Sequence, residues 1–190
     1  MKTNLKMLLG AFVLLLFVSC KNDASKQNNS AASTNVETKD EPRTGQAFVK
    51  DDESKPTVLH IAIGSPDHTT LVAAVQAAEL ENSLVNAGPL MVFAPTNEAF
   101  AALPEGTVET LLKPENKAKL AYILKHHVTP GNYSKDFLKK FKKLGQASNE
   151  NIKVEVKDGE VYVGGAKILA SIKAGNGIVH VVDKVILPKN

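Results

Sequence analysis

The sequence predicts an α+β domain, because helix-type patterning dominates the first half of its apolar region and strand-type patterning dominates the second. In the first half, apolar residues recur at spacings of three and four, whereas in the second half they alternate with polar residues. The two patterns do not interleave, so a series of parallel βαβ units is not expected. With 190 residues and 43% hydrophobic composition, the chain can form one domain with extensions and needs no disulfide to build a core.

The helical half is expected to contain three helices and one buried strand. Polar caps predict a helix over 67–80, and the apolar run at 90–93 predicts the strand. A second helix is expected over 98–103 and a third after Pro114, which suits a first helical turn. The apolar stripe of the third helix consists of Leu120, Ile123, Leu124 and His127.

A short basic helix and several strands are expected in the second half. Ser134 can cap this helix, and its apolar side chains are expected to face inward. These side chains are Phe137, Leu138, Phe141 and Leu144. Alternation then predicts a strand over 152–156, and Asp158-Gly159 is typical of a hairpin turn. Further strands are expected over 167–172 and 178–187.

Residues 1–19 are interpreted as a lipoprotein signal peptide. Two lysines precede an apolar stretch over 7–18, which is too short for a permanent membrane-spanning helix. The stretch ends at Phe17-Val18-Ser19-Cys20, which resembles a bacterial lipobox with Phe17 in the place of the usual Leu. The single cysteine, Cys20, is therefore the expected lipid attachment site, and an uncleaved hydrophobic anchor is the alternative.

Residues 20–55 are expected to form a flexible polar tether, and residues 56–190 a folded domain. The tether is rich in Asn, Ser, Thr and charged residues, and it lacks the apolar surface needed to offset its ordering entropy. Because Lys21 follows Cys20, the resemblance to other lipoproteins implies the outer membrane of a Gram-negative bacterium. Surface-facing and periplasm-facing orientations both remain open.

Three motifs in the folded part resemble those of fasciclin-like domains. The segment MVFAPTNEAF at 91–100 is similar to the first signature of that family, and GIVHVVDKVILP at 177–188 is similar to the second. Between them, LKHHVTPG at 124–131 resembles the central Tyr-His segment of the family, with His126 in the place of the Tyr. The similarity runs from about 57 to 188, and the chain is identified as a member of the fasciclin-like family.

The resemblance implies a wedge-shaped antiparallel β-sandwich with helices packed around it. It also implies extracellular adhesion through protein or carbohydrate contacts. The family motifs contain candidate structural or binding residues: Thr96, Asn97, His126, His127 and Asp183. Thr96 or Asn97 is expected to cap a helix, and a buried Asp183 would need hydrogen-bond donors.

No motif in the sequence supports catalysis or a metal site. The chain has no GxSxG elbow, no HExxH helix and no phosphate-binding loop, so we expect a protein that is not an enzyme and holds no cofactor. His127 lies on an apolar stripe and is interpreted as a core histidine. The 23 basic and 20 acidic residues are too balanced for a nucleic-acid binder.

A basic patch is expected on the short helix. It consists of Lys135, Lys139, Lys140, Lys142 and Lys143, with Asp136 among them. One interpretation is the solvated face of an amphipathic helix. The other is a contact surface for acidic polysaccharide, anionic lipid or an acidic protein.

Together these patterns predict a membrane-anchored, non-catalytic adhesion or interaction module at the cell surface. The membrane partner would be reached through the N-terminal lipid, the protein or polysaccharide partner is not identified, and self-association is left open. The alternative is a lipoprotein that binds haem or another small solute, with a pocket near His126 and Tyr133.

Overall fold

A computed structural model describes residues 55–86 and 88–188, apart from the side chain of Asn86. The predicted signal peptide, the lipid site at Cys20 and all of the tether except Lys55 lie outside these residues. None of the helices in the described part is long and apolar enough to cross a membrane.

The described residues contain seven strands in one sheet. These are β1 (Leu90–Pro95), β2 (Val128–Pro130), β3 (Lys143–Gly145), β4 (Asn151–Lys157), β5 (Glu160–Val163), β6 (Ala166–Ala174) and β7 (Gly177–Val182). Their order is β2-β1-β7-β6-β5-β4-β3. Neighbouring strands are antiparallel except β1 and β7, which run parallel with Leu90 opposite Gly177. The sheet is therefore mixed at one pair and antiparallel elsewhere, and the predicted α+β class is confirmed.

The two ends of the sheet come together, so that the sheet folds over on itself. The backbone N–H of Ala147, just after β3, donates to the carbonyl of Val128 in β2 at 2.7 Å. The Thr129 hydroxyl donates to Oε1 of Gln146 at 3.0 Å, and both residues are buried. The first bond satisfies a backbone carbonyl that an open sheet edge would leave unpaired, and the second joins the two ends through side chains.

The described residues also contain short helices, which pack around this sheet. They are α1 (Val58–Ile63), α2 (Thr69–Ala77), α3 (Glu81–Asn86), α4 (Asn97–Ala101), α5 (Thr107–Leu111), α6 (Lys117–Lys125) and α7 (Lys135–Leu138). Single 3₁₀ turns at Pro66–His68 and Pro114–Asn116 lead into α2 and α6. Both turns begin with proline, whose fixed φ suits the first turn of a helix.

The apolar side chains form two clusters that share β1 and β7. The sheet core lies within the folded sheet and includes Met91, Phe93, Leu138, Val161, Val163, Ile168, Val182 and Ile186. The helix core lies between the sheet and α1, α2 and α6, and includes Val58, Leu59, Leu71, Val75, Leu90, Ala94, Leu124 and Val179. Because successive residues of a strand point to opposite faces, the uninterrupted apolar run of β1 can supply both cores.

The helices predicted over 67–80 and 98–103 end a few residues early, at Ala77 and Ala101, and two further elements end early for a local reason. The last strand was expected to reach residue 187, but β7 ends at Val182, because the Asp183 carboxylate accepts a hydrogen bond from the Lys167 N–H at 2.7 Å. The basic helix is only four residues long, because the chain extends again at Lys143 to pair with β4.

Candidate functional site

The predicted basic patch lies on three consecutive pieces of structure rather than on one helix. Ser134 caps α7 by accepting a hydrogen bond from the Phe137 N–H at 3.3 Å. Leu138, on the inner side of α7, is fully buried in the sheet core and fixes the helix there. Because α7 then ends, the lysines are distributed over the helix, the connection that follows it and the start of β3.

Two of the five predicted lysines are paired with carboxylates. Lys135 Nζ lies 2.6 Å from Glu160 Oε2 and also donates to the Ile168 carbonyl at 3.0 Å. Lys139 Nζ lies 2.8 Å from Asp136 Oδ1. The hydrogen bond from Lys135 lowers the pKa of Glu160, and the one from Lys139 lowers the pKa of Asp136. The positive charges of these two lysines are thus locally compensated.

The other three lysines differ, because no carboxylate among the described residues compensates their charge. Lys140, Lys142 and Lys143 are exposed, and within the described ranges none of them has an ion-pair partner. Lys143 also faces exposed Lys153 directly across the β3–β4 register. Like charges at directly opposite positions of an antiparallel pair are destabilising. Sequence patterning did not identify Lys153, because its approach to Lys143 depends on strand register.

An aromatic cluster lies beside these lysines. The Tyr133 and Phe137 rings stack with centroids 5.6 Å apart, and Phe141 lies 5.0 Å from Tyr133 and 5.6 Å from Phe137. Phe137 is 43% exposed, so the expectation that it faces inward is wrong. Lys140 Nζ lies 5.1 Å from the centroid of the Phe137 ring, within cation–π range. The four-residue spacing of these aromatics was the signal that could have revealed the cluster.

We call this combination the aromatic–lysine surface. It consists of Tyr133, Phe137, Phe141, Lys140, Lys142, Lys143 and Lys153. Buried His180 fixes the backbone of Tyr133 within this surface. Its Nε2 donates to the Tyr133 carbonyl at 2.9 Å, and its Nδ1 accepts from the Ser171 hydroxyl at 2.7 Å. Burial lowers the pKa of His180, which favours the neutral ring that this pattern requires.

Thr96 and Asn97 are engaged in holding helices together. The Thr96 hydroxyl accepts from the Ala99 N–H at 3.3 Å and caps α4. The Asn97 Oδ1 accepts from the Thr70 N–H at 3.0 Å, and its Nδ2 donates to the Pro66 carbonyl at 2.9 Å. Asn97 therefore joins the start of α2 to the start of α4.

His127 is a buried histidine with both ring nitrogens in use. Nδ1 donates to the Ile123 carbonyl at 2.8 Å, and Nε2 accepts from the Ile186 N–H at 2.9 Å. Burial lowers the pKa of His127 to about 4, so the ring is neutral at pH 7. No lone pair remains on this ring for a metal or for a substrate.

His126 is part of a small polar group with Ser148, Glu150 and Tyr122. Its Nδ1 lies 2.9 Å from the Ser148 hydroxyl and 3.5 Å from Glu150 Oε2, and the Tyr122 hydroxyl donates to Glu150 Oε1 at 2.6 Å. In a catalytic triad the hydroxyl and the carboxylate bind opposite ring nitrogens of the histidine. Here both lie at Nδ1, so this geometry does not provide a relay for a serine nucleophile.

The structure therefore separates the predicted candidates. It places Lys140, Lys142 and Lys143 beside an aromatic cluster. Asp183 lies elsewhere, at the end of β7, where its carboxylate accepts a hydrogen bond from the Lys167 N–H. Among the described residues, no group of three or more His, Cys, Asp or Glu side chains could hold a metal ion.

Comparison with known proteins identifies one family. The family model described as Fasciclin domain matches residues 66–188. The chain is 47% identical over 137 residues to protein sll1483 of Synechocystis sp., covering 72% of this chain and 76% of that protein. It is 36% identical over 150 residues to the transforming growth factor-beta-induced protein ig-h3 of Sus scrofa, covering 77% of this chain and 22% of that protein.

A solved structure also matches the fold. It is that of a FAS1 domain pair from the insect cell adhesion molecule Fasciclin I, with a TM-score of 0.62 and 18% sequence identity. The match covers 70% of this chain and 51% of that one, so this chain spans about half of the solved domain pair.

Proposed function

The chain belongs to the fasciclin domain family, and from this membership we propose that it is a non-catalytic adhesion module that binds acidic polysaccharide through the aromatic–lysine surface. The observation that carries the proposal is the partly exposed Phe137 ring, 43% accessible, next to Lys140 and to the exposed Lys142 and Lys143. Its similarity to a protein described as a cell adhesion molecule supports the general class.

The two components of the surface suit two features of such a polymer. The flat apolar face of an aromatic ring can cover the C–H face of a sugar ring and remove both from water. Ammonium groups nearby can pair with the carboxylates of the polymer, and within the described residues Lys140, Lys142 and Lys143 have no ion pair to give up when they do so. An anionic ligand would also relieve the repulsion between Lys143 and Lys153.

We further propose that the module acts from a membrane, as its N-terminal sequence predicts. Cys20 would carry the lipid, residues 21–55 would hold the domain away from the bilayer, and the outer membrane of a Gram-negative bacterium would be its location. Several anchored copies could then bind one polymer together, which raises avidity without any new contact. Cleavage of the tether by added protease on intact cells, with a periplasmic marker intact, would establish a surface-facing orientation.

Binding of the full-length chain to immobilised alginate, a polymer of uronic acids, tests the polysaccharide proposal. We expect saturable binding that weakens as salt is raised, and about tenfold weaker binding when Lys140, Lys142 and Lys143 are all replaced by Glu. Phe137→Ala should also weaken binding, because it removes exposed aromatic surface and leaves the net charge unchanged. Neutral dextran serves as the uncharged control polymer.

A charge-matched variant separates a local surface from a general charge effect. Lys113, Lys119 and Lys173 are also exposed, and changing all three to Glu alters the net charge by the same amount. If this control weakens alginate binding as much as the surface variant does, binding is non-specific. If Phe137→Ala binds alginate as tightly as the parent chain does, the aromatic cluster does not contribute to binding.

A further inference from the structure

An apolar cavity of about 210 Å³ lies beside the helix core, separate from the aromatic–lysine surface. It is bounded by α1, α2, α3, β1 and the end of α6, and Leu59, Val75 and Val92 are among its lining residues. An apolar cavity of this kind is a poor place for water, which needs several polar partners. An apolar cavity of about 150 Å³ binds benzene, so by proportion this one can hold roughly eight carbon atoms.

Few polar side chains line the cavity, and all of those described except His127 lie at its exposed margin. Ser83 and Lys125 are exposed and line the cavity together with exposed Ala147, so these residues mark its opening. His127 also lines it, but both nitrogens of this neutral ring are already hydrogen-bonded within the protein. Among the described lining residues, the interior therefore offers no free hydrogen-bonding side chain to a ligand.

Lys125 gives the opening a positive charge. It lies in the last turn of α6, and no carboxylate in the described part of the chain pairs with it. A ligand that fills the cavity and reaches its opening would place its outer end within the influence of this ammonium group. Charge complementarity at that position favours an anionic end over a neutral or cationic one.

We propose that this cavity binds a free medium-chain fatty acid, with the acyl chain inside and the carboxylate at Lys125. The interior favours an apolar chain of about eight carbon atoms, because of its volume and because its described lining has no free hydrogen-bonding side chain. The lysine selects the carboxylate. This site is independent of polysaccharide binding, because its residues and those of the aromatic–lysine surface do not overlap.

Titration of the full-length chain with octanoate tests this proposal. Calorimetry should show saturable binding, and the amide NMR signals of Val92 and His127, which line the cavity, should shift with the same dissociation constant. Octylamine, with the same chain and the opposite charge, should bind at least tenfold more weakly. Lys125→Gln should weaken octanoate binding about tenfold and leave octanol binding unchanged. Lys119→Gln, a change of an exposed lysine on the same helix outside the lining, should leave both unchanged.

Two blocking variants keep the test decisive. Val72→Phe fills the cavity from α2, and Ala147→Trp obstructs the opening from an exposed position that bears on no core packing. Both should abolish binding of octanoate and of octanol. Octanoate binding that survives both variants, or a full-length chain that binds neither ligand, would overturn the proposal. Equal affinity for octanoate and octylamine would overturn the role of Lys125.

Discussion

The sheet core and the helix core have similar side chains but differ in how completely they are filled. In the sheet core, Val161, Val163 and Ile168 are fully buried, and a Cβ added at Gly164 would overlap Ile186. The helix core has equally apolar walls, yet it borders a cavity of about 210 Å³. Apolar composition alone therefore does not determine packing density.

The difference follows from the elements that close each core. Hydrogen-bonded strands approach one another at a fixed spacing, and the folded sheet brings its inner faces into direct contact. None of the helices in the described part exceeds nine residues, and several end within two turns. Short helices join at angles set by their caps and turns, and such an arrangement can leave space that no side chain reaches.

The largest effect is expected at the strand pair that both cores share. Gly177→Ala would place a Cβ in overlap with the carbonyl of Leu90, and backbone atoms on a central strand cannot move aside. We expect a loss of about 4 kcal/mol or more in the free energy of unfolding, or failure to fold. Urea denaturation followed by circular dichroism measures it. Gly159→Ala is the control, because a Cβ there meets no atom within 4 Å and only the positive φ opposes it.

Matched leucine truncations should separate the two cores. Leu138→Ala removes a fully buried side chain from the sheet core, and we expect a cost of about 4–5 kcal/mol. Leu71→Ala removes a buried side chain that borders the cavity and therefore contacts fewer neighbouring atoms. We expect it to cost about 3 kcal/mol in the free energy of unfolding. Chemical denaturation of both variants provides the comparison. Equal costs would show that the cavity closes in solution.

Acidification should weaken the connection between the two regions. The His127 ring links the Ile123 carbonyl in α6 to the Ile186 N–H beside the sheet core. Its pKa is about 4 in the folded protein and 6.5 ordinarily, so the unfolded chain takes up a proton first as the pH falls. Stability should therefore drop by about 3 kcal/mol between pH 6.5 and pH 4.

The pH dependence of the urea midpoint measures this effect. His127→Asn should be less stable at pH 7 and should show a shallower decline on acidification. A residual slope is expected, because burial also lowers the pKa values of His68, His126 and His180. An unchanged slope in the variant would contradict the assignment to His127.

The smallest expected effect is a change in stability whose sign differs between the two cores. Val75→Leu adds a methylene next to the cavity and should stabilise the protein by about 1 kcal/mol. Val163→Leu adds the same group to the filled sheet core and should destabilise it by about 1–3 kcal/mol. Thermal unfolding of the pair distinguishes them. Destabilisation by both changes would show that neither core has usable space.

Local features of the fold were accessible from the sequence. The hairpin at Asp158-Gly159 forms as predicted, with both residues at positive φ, because its signal lies within two positions. His127 was correctly identified as a core histidine from its place on an apolar stripe. The need of Asp183 for a donor was also foreseen, and the Lys167 N–H meets it.

Features that depend on long-range pairing were not accessible. Nothing in the apolar run of β1 specifies that its neighbour is β7 or that the two run parallel. Phe137 was expected to be buried, because helical spacing alone does not show that α7 ends after one turn. Lys153 joined the surface only through strand register, and the cavity depends on how several short helices meet.

The position of β7 has a consequence for how the chain reaches its native state during synthesis. This strand lies between β1 and β6, yet it is the last of the seven described strands to be made. Until the ribosome has released it, β1 lacks its parallel neighbour, and the two cores cannot be completed. Such distant pairing makes folding slow and late. A domain that cannot complete its sheet until β7 has been made would leave its earlier strands unpaired during synthesis, which is the state that a translocation channel accepts.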